Sequence, residues 1–194
     1  MTDSRDGPGP KPGRVLVTDG EFKHTLGIVR ALASRGHEVH LMATSRRAPA
    51  VHSRAVSAWH PAPGSGEPGF DERLLEVAGG LAPVSLVPVG SGAMASAHRL
   101  RERLPAGVRT ALPPTEAFEA ANDKARTSEM ARAVGVLTPR EVIVVDAAEA
   151  RRASESLGLP IVIKSAREEG RKALRYVRHP DELDSAVRDV RAMA

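Results

Sequence analysis

The apolar run "RVLV" at 14–17, the helically spaced "HTLGIVRALASRG" behind it and a second apolar run, "HEVHLMA", constrain the fold of this chain more than any other feature. Leu26, Val29 and Ala33, with Ile28 and Leu32, recur at the three- and four-residue intervals that bring side chains to one helix face. Short apolar runs on either side suit buried strands, and Gly36 supplies the residue type that ends a helix in the left-handed conformation. Strand, helix and strand in that order form a β-α-β unit, whose two strands lie parallel.

The pattern repeats less cleanly downstream. A weak strand is expected around 55–59, then a Gly/Pro loop, a helix over about 70–81 and the strand "VSLVPV" at 84–89. "GSG" at 90–92 turns that strand into a helix running to about Leu104, and "VRTAL" is a last short strand. Strands that alternate with helices and lack hairpin turns predict a parallel sheet covered on both faces. The double proline at 113–114 interrupts this grammar and marks a domain boundary.

Residues 1–13, "MTDSRDGPGPKPG", read as a disordered tail, 14–113 as the sheet domain and 114–194 as a second segment. In that segment a helix is expected from about Asn122 to Val134, stopped by Gly135, followed by a strand "EVIVV". Asp146 opens the next helix, with Glu149 at capping-box spacing; "IVIK", "ALRYV" and a helix with Pro180 in its first turn follow. A segment of about 80 residues is small for an independent core.

Charge and composition exclude several classes. The 28 basic and 24 acidic residues are interspersed for a net charge of only +4, which demands no polyanionic partner. Phe22, Trp59, Phe70, Phe118 and Tyr176 are too few to build stacking platforms, so no nucleic-acid partner is expected. Without cysteine the chain forms no disulfide or thiolate metal site, and no apolar run approaches the roughly 18 residues of a membrane span. The polar amino terminus is no signal peptide, and the expectation is a soluble cytoplasmic protein without a membrane partner.

Two strand-to-helix turns carry open alternatives. Gly20 and Gly27 in "TDGEFKHTLG" do not fit G-x-G-x-x-G, and "MATSRR" after the second strand offers no acid for a ribose, which argues against a dinucleotide. Asp19 and Glu21 still follow a parallel strand at its carboxyl end, as an ordinary polar helix start or as part of a small-molecule site. Gly90, Ser91 and Gly92 form either a tight turn or an anion site at a helix amino end. His37 and His40, three apart in a strand, face opposite sides and share no metal. No Ser-His-Asp order or nucleophile elbow is visible.

The stretch "LPIVIKSAREEGRKALRYV" raises the sharpest question, because an apolar strand ends on Lys164 and opens into a charged loop with one glycine. Read alone, Lys164 is a solvated strand end or an ammonium held toward a cleft. Here the sequence resembles the ATP-grasp superfamily, most closely its carbamoyl-phosphate synthetase and biotin carboxylase type. The resemblance covers about residues 14–194 and rests on three features in order: the helix-opening pair Asp123-Lys124, "GVLTPR", and "LGLPIVIKSA".

The resemblance implies an α/β protein, a Rossmann-like parallel-sheet pre-ATP-grasp domain followed by a small α+β lobe of an ATP-grasp domain. It implies phosphate contacts from Lys124 and Lys164 of MgATP, with Gly170, Arg171 and Lys172 in the loop over the phosphates. Relatives carry more glycines there; Arg171 and Ala173 replace some of them, and Glu168 and Glu169 oppose an anion, so a solvated hairpin tip stays open. The magnesium carboxylates would lie in a second lobe, in the same or an adjacent chain. The expected activity is that of a carboxylate-amine or ammonia ligase that activates a carboxylate as an acyl phosphate; the alternative is a non-catalytic nucleotide-binding or interaction module.

Overall fold

The structure is a computed structural model and describes residues 12–165 and 173–193. It divides into two compact units, Met1–Leu112 and Pro113–Ala194. Among the described residues no helix is long and apolar enough to cross a membrane.

The first unit contains β1 (Arg14–Val17), α1 (Lys23–Ala33), β2 (Glu38–Ala43), β3 (Ala58–Pro61), α2 (Phe70–Leu81), β4 (Val84–Val87), α3 (Ser91–Arg99) and β5 (Val108–Thr110). The five strands are parallel in the order β3-β2-β1-β4-β5. Alternation along each strand sorts the core into two layers. Leu16, Met42 and Leu86 pack with Phe70, Leu74 and Val77 of α2 and Ala93 and Ala97 of α3. Val15, Val17, Val39 and Leu41 point the other way, against Val29 and Leu26 of α1. Helices on both faces explain why β1 reads as unbroken apolar sequence: Leu16 and Val17 are fully buried.

Two sequence boundaries move. The weak strand expected at 55–59 lies at Ala58–Pro61, because the ladder to β2 starts where the Ser57 N–H meets the Val39 carbonyl at 2.8 Å. The helix after "GSG" ends at Arg99, and a 3-10 turn over Arg101–Arg103 takes the rest.

The second unit holds α4 (Thr115–Asn122), α5 (Lys124–Ala133), α6 (Ala147–Leu157), β6 (Ile161–Lys164), β7 (Leu174–Val177) and α7 (Leu183–Met193). The helix expected over about 122–134 is α5, Lys124–Ala133, and a separate helix, α4, precedes it. Asp123 leaves helical geometry at φ −105°, and its Oδ1 accepts from the N–H groups of Ala125 and Arg126 at 2.9 and 3.0 Å, capping α5. Asp146 caps α6 by accepting from Glu149 N at 2.7 Å, and Glu149 reaches back to Val145 N at 2.9 Å. Strands β6 and β7 pair antiparallel, Val162 opposite Tyr176 and Lys164 opposite Leu174. Ile161, Ile163 and Val177 face Ala150, Leu183 and Val187 of the covering helices.

The strand expected at "EVIVV" does not form: residues 141–144 have no regular structure and Val145 begins the bend into α6. Its backbone is engaged otherwise, since Val145 donates to Glu149 and its carbonyl accepts from Arg191 of α7. Val142, Ile143 and Val145 are left 52%, 72% and 61% exposed, which a strand inserted in a sheet would not be. The "IVI" run is likewise only half a core strand, because Val162 and its cross-strand neighbour Tyr176 are exposed.

Candidate functional site

In the first unit the sheet order reverses at β1, which has β2 on one side and β4 on the other. The turns after β1 and β4 therefore flank the crevice where open α/β sheets take ligands. Asp19 occupies that point. It is 6% exposed and adopts φ +57°, a left-handed conformation that aspartate tolerates better than most residues. Its carboxylate accepts from Ser65 Oγ at 2.5 Å, from Gly90 N at 2.8 Å and from the Thr18 hydroxyl. Thr18 Oγ1 in turn accepts from Val89 N at 3.0 Å, and Thr25 donates to the Asp19 carbonyl at 2.7 Å.

This network gives both turns left open by the sequence a structural role. The anion facing the amino end of α3 is the chain's own Asp19 carboxylate, so the "GSG" turn serves close packing. A Cβ at Gly90 would come within 2.8 Å of Phe22 and 3.1 Å of Asp19, and one at Gly92 within 2.7 Å of the Ser65 carbonyl. Glu21 turns to the Thr44 N–H. Nothing in the sequence near Asp19 pointed to Ser65, 46 residues on.

In the second unit, Lys164 is the last residue of β6 and its side chain is 47% exposed. Strand alternation places it on the open face with Val162, and its Nζ lies 3.6 Å from Glu141 Oε2. Arg132 of α5 approaches the other oxygen of Glu141 at 3.5 Å. The site is thus a cation-anion-cation group drawn from α5, the irregular segment after it and β6. Glu141 escaped sequence reasoning because a glutamate opening an apolar run carries no local signal.

Lys124 is the first residue of α5, placed there by the Asp123 cap, and is half-buried. Gly170, Arg171 and Lys172 lie outside the described residues. For a phosphate group the fit at Lys164 is good: a half-exposed ammonium with a carboxylate at 3.6 Å keeps capacity for an anion. For a metal it is not, since no three His, Asp or Glu side chains converge among the described residues.

No protein-family model matches the chain. A pyruvate carboxylase subunit from Methanothermobacter thermautotrophicus is 31% identical over 126 residues, 63% of this chain and 26% of that protein. The carbamoyl phosphate synthase large chain of Rubrobacter xylanophilus is 29% identical over 122 residues, 63% of this chain and 12% of that protein. Among solved structures, the biotin carboxylase domain of the Hydrogenobacter thermophilus 2-oxoglutarate carboxylase, in complex with MgADP, ADP and bicarbonate, superposes with a TM-score of 0.68 at 22% identity, over 93% of this chain and 42% of that one. The chain spans only about a quarter and an eighth of the two curated relatives. The chain is thus similar in sequence to part of a pyruvate carboxylase subunit and part of a carbamoyl phosphate synthase large chain, and it shares its fold with a biotin carboxylase domain, in agreement with the resemblance to the ATP-grasp superfamily.

Proposed function

We propose that the chain is the amino-terminal part of an ATP-grasp ligase that binds MgATP and activates a carboxylate as an acyl phosphate, from which an amine or ammonia displaces phosphate. Lys164 is the observation that carries this reading. It ends a strand of the lobe, presents a half-exposed ammonium on the open face, and has one carboxylate at 3.6 Å. Lys124 approaches phosphate from the start of α5, and Gly170, Arg171 and Lys172 are the further phosphate contacts that the resemblance implies. Their task is charge neutralisation and positioning, which is most of what phosphoryl transfer asks of a protein. Magnesium, when bound, would offset the charge on the phosphate oxygens. Its carboxylates belong to the part of the relatives' length that these 194 residues do not span, in the same or an adjacent chain. A cytoplasmic setting suits this use of ATP.

The test is calorimetric titration with MgATP, on this chain and on the chain joined to the lobe that follows in the relatives. Lys164→Ala should weaken binding by about 1.5–3 kcal/mol, the range for a hydrogen bond to a charged group, and leave the thermal midpoint nearly unchanged. Equal affinity of the two joined proteins would return Lys164 to an exposed strand end and favour the interaction module.

A further inference from the structure

Two imidazoles meet in the first unit. His40 on β2 is 7% exposed and brings Nδ1 to 3.0 Å from Nε2 of His60 on β3, the rings 5.2 Å apart at 28°. Met42 is the register partner of His60, so His40 and His60 are diagonal neighbours on the sheet face covered by α2. On its far side His40 Nε2 lies 2.9 Å from Glu38 Oε1.

Proton accounting is strict in this arrangement. Two nitrogens 3.0 Å apart share one proton, because a second N–H would point straight at the first. The ionised Glu38 carboxylate only accepts, so His40 Nε2 carries a proton. With both rings neutral, His40 Nδ1 is then the acceptor and His60 Nε2 the donor. One added proton gives an imidazole-imidazolium pair and a charge-assisted bond, which is the stronger form. A second added proton places N–H groups on both facing nitrogens, and the contact breaks.

β3 is the edge strand of the sheet, and it leads directly into the segment carrying Ser65. Ser65 donates to Asp19, and its carbonyl packs against Gly92. We propose that the His40–His60 contact is a latch that holds the end of β3, and through it the Ser65 cover of the Asp19 crevice, closed until the pair takes its second added proton.

The surrounding charges support that order of protonation. Glu38 on β2 faces the outer nitrogen of His40, and Arg14 of β1 is balanced by Glu38 at 3.3 Å. From α2, Arg73 donates to the Pro61 carbonyl at 3.0 Å and pairs with Glu76 at 2.8 Å. Burial, then His40 and Arg73, hold His60 below the ordinary imidazole range. The unfolded chain therefore takes this proton first as pH falls, and acid opens the latch rather than closing it.

The experiment is a ¹⁵N-imidazole NMR titration of the full chain between about pH 8.5 and 4.5, the span over which histidine charge changes. His40 and His60 should share two steps separated by more than about one pH unit. The Ser65 and Gly90 amide signals should move with the lower step only. In His60→Gln, whose amide can still donate to His40, the second step and the movement of those amides should both be lost. Two independent single-site curves in the wild type, or Ser65 and Gly90 amides that stay still through both steps, would overturn the latch. The wild-type titration decides the matter even if the variant fails to fold.

Discussion

The Asp19 carboxylate accepts the Gly90 N–H at 2.8 Å, and this bond ties the turn after β1 to the turn after β4 where the sheet order reverses. With Ser65 on its other oxygen, one side chain joins three loops at the carboxyl ends of the strands.

Removing that acceptor leaves buried donors without a partner. Asp19→Ala should cost about 2–4 kcal/mol, combining unsatisfied hydrogen bonds with a left-handed backbone that alanine tolerates poorly. Asp19→Asn keeps the backbone tolerance and one acceptor oxygen and should cost roughly half as much. Urea unfolding of both variants checks the order; Asp19→Asn and Asp19→Ala that both unfold like the wild type would show that the carboxylate bonds contribute nothing.

Gly90 is a second, purely steric test of the same junction. Its added Cβ would meet the Phe22 ring edge at 2.8 Å and Asp19 at 3.1 Å, so Gly90→Ala should destabilise by about 1–3 kcal/mol through overpacking. A thermal melt unchanged by Gly90→Ala would mean that the two turns are free to separate.

Glu141 lies 3.6 Å from the Lys164 ammonium and would compete with an anion for it. Glu141→Gln removes the competing charge and should tighten MgATP binding about two- to fivefold at low salt, the size of an exposed ion-pair effect. Weaker binding in the calorimeter would show instead that Glu141 helps to hold the lysine in place.

Asp71 at the start of α2 makes acid stability measurable. Burial pushes its carboxyl up, but Ser96 and the Arg99 and Arg103 charges outweigh burial and hold it below the ordinary aspartate value. Arg99 Nη2 reaches both carboxylate oxygens at 3.0 Å. The folded value is depressed, so this contribution is present above the unfolded pKa and is lost as pH falls through the folded one. Asp71→Asn should flatten that acid limb in urea unfolding followed downward from about pH 6, where carboxylates begin to titrate. An identical slope in wild type and variant would contradict the pairing.

Much of the fold was legible because it is encoded at short range. Helical spacing in "HTLGIVRALASRG", unbroken apolar runs beside it and Gly36 at φ +82° are properties of neighbouring residues, and they suffice for a parallel α/β unit. Asp123 and Asp146 were visible as helix starts for the same reason, since a cap bonds within three residues. The position of Lys164 at a strand end was equally readable.

The remainder depends on which strands become neighbours. The apolar, β-branched "EVIVV" has every local mark of a strand, yet its Val145 backbone groups are held by Glu149 and Arg191, and no strand forms. His60 lay one residue beyond the strand expected at 55–59; the β2–β3 register made it the partner of His40. Ser65 and Gly90 reach Asp19 only because the strand order brings three carboxyl ends together. Periodicity in a sequence records which face of an element is apolar, whereas the contacts that form these two networks and the Glu141–Lys164 pair are made between elements, after each has been placed.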